Sequence, residues 1–470
     1  MTGPRRPPGP RITPQPPGAR REPPPGPGST TTHPRPDAVR RPTPAGSPSS
    51  PAAPSAIRLT ALGRLVAGTA AWLRGEDRRF TVVLVVLAAV VYWATQPERV
   101  DLDAFVPLAD ALLHSRLWVG PEFGYLEHAP GPDGAGYMPY PPAPVLIVLP
   151  LVALFGPAFD QGIAAALVGA ANIVLLRLVF RRLRVAVGAQ RWLLVAFAFG
   201  SVHWWAAGEG TVWLFAHVVA VFLGLAALLL ALHRTRPFVA GLLLGLGAAS
   251  RVPIGLTLPL YAALYGRWPV RRPRAFDRRW VRPLLPMALG FAIPVLVTMA
   301  YNVARFGDPA QFGYDLVLNS EGKSVLTESW YSQGINSLSY IPRNLHVMFL
   351  KTFDFVEGFP WFRPNWIGTS LILTTPILLW LIRAHGRNRL FLYGWIAVAG
   401  GLALVITHGG IGWTQFGYRR ILDVAPILWP MLGWVFRDGM SREAKIAVVI
   451  GVAVNAYGIW AIEVLKFVSF

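Results

Sequence analysis

Cysteine is absent from all 470 residues, which excludes disulfides, thiolate metal sites and cysteine nucleophiles. Charge is scarce too, at 14% of residues, and acid is the scarcer sign: 24 Asp and Glu stand against 44 Lys and Arg. There is no G-x-G-x-x-G or P-loop pattern, so the usual cradles for nucleotide phosphates are missing. What the chain has in excess is apolar surface, at 53% of residues. Its apolar runs recur at about 20 residues, the length that crosses a hydrocarbon core about 30 Å thick. The expected fold is therefore all-α, a polytopic membrane bundle. The net charge of +20 falls in short segments between apolar runs, which is a topology signal and argues against a nucleic-acid surface.

The N-terminal part is of another composition. Residues 1 to 54 hold 18 of the 44 prolines and eight arginines against Glu22 and Asp37, with too little apolar surface to offset the entropy of folding. Residues 1–56 are expected to be a disordered cytoplasmic tail whose arginines favour anionic lipid. No apolar core and small-residue cleavage site follow those arginines closely, so no cleavable signal peptide is expected. The membrane domain is then 57–470, beginning with a short amphipathic helix over 57 to 73.

Arginine placement orders the spans. Arg74, Arg78 and Arg79 precede the first span, 80 to 95, which puts the N-terminus in the cytoplasm. Later clusters at Arg181, Arg234, Arg267 to Arg282, Arg383 and Arg437 should return to that side, with an even number of crossings between them. Residues 145 to 155 make a helix of only about 16 Å, too short to cross. The run 238 to 266 must break, and Arg251-Val252-Pro253 is the place, because proline disfavours helix at and before itself. With further spans near 162 to 180, 192 to 207, 211 to 232, 284 to 304, 367 to 383, 390 to 407, 421 to 436 and 445 to 467, the total is about eleven and the C-terminus lies outside.

The outer face is not basic. Its first loop, 97–158, carries Glu98, Asp101, Asp103, Asp110, Glu122, Glu127 and Asp133 against Arg99 and Arg116. A second, 305–365, sets Asp308, Asp315, Glu321, Glu328, Asp354 and Glu357 among aromatics. Loops of this length inside a compact domain are usually functional. Asp101 and Asp103 sit where the first span should leave the bilayer, where an ionisable group is costly unless it is used. Asp103 also suits an N-cap, and the D-x-D spacing suits a divalent ion. No other acid or histidine is tied to the pair, so no metal ligand and no cofactor is assigned. His203, Glu209 and His217 beside Trp204, Trp205 and Trp213 read either as an interfacial aromatic belt or as a metal site. Arg419 and Arg420 fall outside, against the trend, to bind phosphate or to pair with Asp423.

The stretch from Asp101 through Phe105, Ala109, Leu112 and Leu113 resembles the start of the first outer loop in the GT-C superfamily of membrane glycosyltransferases. The similarity is to the protein O-mannosyltransferase, aminoarabinose transferase and rhizobial lipopolysaccharide transferase branches. Tyr140-Pro141-Pro142 followed by Phe155-Gly156, the RVP at Arg251 and QFGYRRILDVAP from Gln415 resemble later segments of that pattern. The resemblance implies a GT-C-like bundle with helical outer loops that transfers sugar from a polyprenyl-phosphate donor to a glycan, lipid or protein acceptor on the extracytoplasmic side of the plasma membrane. It implies Asp101 as base, with Asp103 beside it, and Arg251, Arg419, Arg420, Tyr140 and His128 as substrate-binding residues. The residue chemistry agrees: such a transfer needs a carboxylate to take the acceptor proton and cations to hold the departing phosphate. A multi-pass transporter or lipid flippase is the alternative, favoured by paired broken helices in two halves; one broken pair and no internal repeat are present.

Overall fold

The first apolar run folds as α1 (Glu76–Ala94), with Glu76 and Asp77 in its first turn. The computed structural model describes residues 76–97, 102–120, 128–269, 278–318, 322–386, 388–412 and 415–466. The expected tail 1–56 and Asp101 lie outside these residues. The described residues belong to one compact unit, 66–470. After α1 comes the segment 97–158, with α2 (Phe105–Leu113), a two-stranded antiparallel hairpin of β1 (Ala129–Pro130) and β2 (Gly136–Tyr137), and the short helix α3 (Val145–Phe155). A long helix follows, α4 (Gln161–Arg182), capped by Asp160 Oδ1, which accepts from Gly162 N–H at 2.7 Å.

The middle of the chain is α5 (Val187–Phe199), α6 (His203–Glu209), α7 (Val212–His233), α8 (Pro237–Ala248), α9 (Val252–Gly255), α10 (Leu258–Gly266) and α11 (Leu284–Phe306). The segment that follows α11 is built of single 3₁₀ turns, α12 (Ile341–Phe349) and a hairpin of β3 (Asp354–Phe355) and β4 (Phe362–Arg363). The chain ends in α13 (Leu371–Thr374), α14 (Arg389–Ile406), α15 (Ala425–Val435) and α16 (Arg442–Glu463).

Among the described residues, α4, α7, α11, α14 and α16 are long and apolar enough to cross a membrane. Their burial separates centre from rim. The apolar stretch of α7 is 78% buried and that of α11 only 22%, and α11 exposes Leu285, Leu289, Ile293, Leu296 and Val303 along its length. A soluble surface rarely carries so large an apolar patch; this is a membrane protein. Helices α8 and α11 touch backbone to backbone. A Cβ on Gly241 would stand 1.9 Å from the Met287 carbonyl oxygen, and one on Gly290 2.0 Å from that of Phe238. Small residues at such crossings let dispersion and packing hold helices together where lipid removes the hydrophobic drive.

Three expected spans differ from single helices, each for a local reason. The run 192 to 207 is cut at Gly200-Ser201, where Ser201 Oγ donates to the Phe197 carbonyl (2.8 Å) and separates α5 from α6. The run 367 to 383 is cut at Pro376, which has no N–H to give; Thr375 before it is extended at φ −144°, and a 3₁₀ turn, Pro376–Arg383, replaces the helix. The run 421 to 436 begins as a 3₁₀ turn, Arg419–Val424, before Pro426 starts α15. The run 238 to 266 divides at Arg251, whose backbone is extended (φ −144°, ψ 105°). Ala143 N–H donates to the Ala249 carbonyl at 2.9 Å and Ser250 Oγ to that of Ala216 at 2.9 Å, so the break is pinned to both the segment before α3 and α7.

Candidate active site

The segment after α1 is bonded through its backbone to the long helices of the bundle. Val212 N–H, at the start of α7, donates to the Leu102 carbonyl at 2.8 Å. Phe105 N–H, in the first turn of α2, donates to Gln161 Oε1 of α4 at 3.1 Å, while Gln161 Nε2 donates to the Gly210 carbonyl at 2.6 Å. A glutamine from another helix thus does the capping expected of Asp103: the N-cap position is Ala104, which has no side-chain cap. The sequence offered Asp103 as the nearest acceptor, but a buried amide with both ends occupied satisfies two helix termini at once.

Arg251, Arg419, Arg420, Tyr140 and His128 all line one cavity of about 1090 Å³. Leu102 lines it as well, which brings the chain to its wall one residue after Asp101. Asp103 is not among its lining residues. The His128 imidazole packs over Gly136, the register partner of Pro130, where an added Cβ would collide with it. Tyr140 meets Trp213 edge to face, with ring centroids 6.3 Å apart, and the Arg419 guanidinium lies 5.6 Å from the Trp213 ring centre. Stacking and cation–π contact together hold that arginine against an aromatic wall.

Arg251 is fixed from behind. Its Nε donates to Asp423 Oδ1 and its Nη2 to Asp423 Oδ2, both at 3.0 Å. Asp423 is fully buried, and His217, 1% exposed, places Nδ1 2.9 Å from Asp423 Oδ1. A carboxylate in such a place persists only when paired and hydrogen-bonded. The fork geometry leaves the rest of the guanidinium directed by two bonds at once, and the Arg251 side chain keeps 24% of its surface open.

Arg420 has a different support. Its Nη2 lies 3.2 Å from His408 Nδ1, which also accepts from Gly410 N–H at 3.0 Å. Burial, with Arg420 next in weight, pushes the His408 imidazole down to about 2, so it is neutral and its Nδ1 is an acceptor. The same cavity is lined by the carboxylates Asp315 and Glu328 and by Tyr314, Tyr331 and Trp330, and the Tyr314 and Tyr331 rings lie 6.4 and 5.9 Å from that of His408. Asp315 Oδ2 accepts from Gln311 Nε2 at 3.1 Å, and the Tyr314 and Tyr331 hydroxyls are 2.5 Å apart. Cations, hydroxyl-accepting groups and aromatic faces lining one cavity suit a ligand that is anionic at one end and polyhydroxylated at the other.

The group around His203 falls apart into separate roles. His203 bonds Asn172 (3.2 Å) and Tyr92 (3.4 Å) inside the bundle, Glu209 accepts from Trp205 Nε1 (3.1 Å), and His217 and Trp213 reach the cavity. Among the described residues no three His, Asp or Glu side chains form a metal site. His217, His408, Asp315, Glu328 and the buried Asp423 were not singled out by sequence as parts of one site. The one available signal was the RRILD segment itself, in which an acid follows two outer arginines.

Comparison with solved structures gives the fold its class. The apo structure of ArnT from Cupriavidus metallidurans superposes over 84% of this chain and 66% of its own, at 16% identity and a TM-score of 0.50. The same protein bound to undecaprenyl phosphate matches over 83% and 65%, at 18% identity and 0.49. The Archaeoglobus fulgidus oligosaccharyltransferase tethered with an acceptor peptide matches over 84% and 55%, at 13% identity and 0.37. Neither a family profile nor a curated protein matches the sequence. At these identities the likeness speaks to architecture alone: the chain shares the fold of ArnT. It spans about two thirds of the length of ArnT.

Proposed function

We propose that the protein is a glycosyltransferase that moves a sugar from a polyprenyl-phosphate donor to an acceptor on the extracytoplasmic side of the plasma membrane. The observation that carries this reading is the junction of Arg251, Arg419 and Arg420 in one cavity of a membrane protein, a cavity that tyrosine, tryptophan and carboxylate side chains line as well. That ArnT has been solved with undecaprenyl phosphate is consistent with it.

In this reading the acceptor oxygen attacks the anomeric carbon and the bond from that carbon to the phosphate oxygen breaks. The electron pair leaves on the polyprenyl phosphate, whose charge the arginines offset, and the acceptor proton passes to Asp101. The configuration inverts. Partial desolvation at the membrane edge strengthens a carboxylate as a base. Asp103 assists from beside it, Tyr140 and His128 contact the substrate, and no cofactor is required. The topology of about eleven crossings, with the N-terminus cytoplasmic and the C-terminus outside, puts the cavity on the outer side; it follows from arginine placement. Glycan, lipid and protein acceptors all fit the reading. Membranes supplied with a panel of labelled polyprenyl-phosphate sugars should yield a new glycoconjugate. Movement of lipid or solute across liposomes without sugar transfer would point to a transporter or flippase instead.

A further inference from the structure

The hairpin of β3 and β4 carries an apolar tip that the bundle does not cover. Its register pairs Asp354 with Arg363 and Phe355 with Phe362, and Val356 N–H donates to the Trp361 carbonyl at 3.0 Å. Beyond that ladder the chain turns through Gly358 (φ +89°), leaving Phe355 87%, Phe359 73% and Trp361 60% exposed. Three large aromatic surfaces on one short turn would be a liability in water.

What covers them is indicated by the helix on which the hairpin rests. Phe362 meets Tyr457 with ring centroids 5.0 Å apart, Phe359 meets Trp460 at 6.4 Å, and the Tyr457 hydroxyl donates to the Phe362 carbonyl. Tyr457 and Trp460 belong to α16, one of the five candidate spans. On α16 and its end the exposed Ile446, Ile450, Ala453, Trp460 and Val464, with the half-buried Tyr457, recur at three- and four-residue intervals. That spacing makes one stripe on a helix, and Tyr457 lies on it. From Ile446 to Val464 the stripe is about 27 Å long, nearly the hydrocarbon thickness of about 30 Å. The hairpin sits at the end of this lipid-facing stripe, away from the basic end of α16 at Arg442 and Lys445. Tryptophan and tyrosine are enriched at that depth, the membrane–water interface.

We propose that the tip of this hairpin, Phe355 to Trp361, inserts into the interfacial zone of the bilayer beside the upper end of α16, with a lipid surface as its partner. The hairpin base is tied to the cavity wall. Asn365 Nδ2 donates to Asp354 Oδ2 at 2.5 Å, and the next two residues, Trp366 and Ile367, line the cavity. Lys351 Nζ, 3.1 Å from Asp354 Oδ1, holds the same carboxylate on the polar side. The inserted tip therefore sets the depth of that wall relative to the leaflet. This inference rests on the membrane fold and not on the reaction.

The absence of cysteine makes the test direct. Phe359→Cys is labelled with a small environment-sensitive fluorophore, and Thr327→Cys, on the exposed part of the same outer segment, serves as the control. Both are reconstituted in phosphatidylcholine–phosphatidylglycerol vesicles containing a shallow spin-labelled lipid, and iodide is added outside. Position 359 should be quenched by the lipid at least about threefold more than position 327, and less by iodide. Equal iodide quenching at both positions, with no lipid quenching at 359, would overturn the proposal. Since the substitution removes one aromatic, the native Trp361 provides a second measurement. The fluorescence that brominated lipid quenches in the unmodified chain should fall in Trp361→Phe; an unchanged quenchable fraction would also overturn it.

Discussion

Arg251 and Asp423, 172 residues apart in the chain, meet through two parallel hydrogen bonds of 3.0 Å, one at a helix break and the other buried beneath the cavity. The arginine thus comes to the cavity already oriented by a carboxylate that does not line it. The pairing gives Arg251 a structural role beside the phosphate-binding role proposed for it. The two roles are compatible, since the bonds to Asp423 use two of the five guanidinium N–H donors.

The pair should therefore be strongly coupled in stability. Asp423→Ala leaves a buried guanidinium face unpaired and should destabilise the protein by about 3 to 5 kcal/mol, with Arg251→Ala similar. The double variant should cost clearly less than the sum of the two. Thermal unfolding of all four proteins in one detergent gives the coupling; additivity would show that the two residues act independently.

Arg251→Ala should also weaken donor binding. A charge-assisted hydrogen bond is worth about 1.5 to 3 kcal/mol, which corresponds to a loss of about 10 to 150-fold in kcat/KM. Arg251→Lys should rescue poorly, because an ammonium cannot span both Asp423 oxygens and present a planar face to phosphate. Undecaprenyl phosphate binding in nanodiscs is the readout, and unchanged affinity with a lowered melting temperature would leave Arg251 a purely structural role.

The close crossing of α8 and α11 gives a prediction independent of function. Gly241→Leu must push the helices apart, since even a Cβ would lie 1.9 Å from the Met287 carbonyl. Overpacking of this kind costs about 1 to 3 kcal/mol. The melting temperature in detergent should fall, whereas Gly188→Ala, with nothing within 4 Å of the added Cβ, should leave it within error.

His408 adds a pH dependence. Its folded pKa is lowered to about 2 by burial and then by Arg420, against about 6.5 in an unfolded chain. Between those values the unfolded state holds a proton that the folded state does not. Stability is therefore lost as pH falls below about 6.5 and is fully present above it. The melting temperature should drop between pH 7 and pH 5, and His408→Gln should flatten that slope. An unaltered slope in the variant would assign it to other groups.

Much of the bundle was legible because apolar length and arginine placement are local signals. The break at Arg251 could be read from Pro253 and the seven arginines beyond it. The cuts at Gly200 and Pro376 were not, since each sits in a run whose composition alone suits a span. The pairing of Asp423 with Arg251 and His217 depends on three distant segments meeting, which no local pattern carries. The hairpins escaped notice because two-residue strands have no period to detect. Asp103 was misjudged as a cap because Gln161, 56 positions from Phe105, does that work. Conversely, the arginines chosen for standing outside against the trend are the ones that line the cavity.

The most direct test of the central claim is sugar transfer by purified wild-type protein and Asp101→Asn in liposomes, with a panel of labelled polyprenyl-phosphate sugars and native envelope extract as acceptor. The wild type should pass label from one donor to a glycoconjugate, and Asp101→Asn, inserted and folded equally well, should do so about 100 to 10,000-fold more slowly, the usual cost of losing a general base. Transfer by Asp101→Asn at the wild-type rate would contradict the assignment of the base. Absence of transfer from every donor, with lipid or solute crossing the bilayer, would contradict the account as a whole.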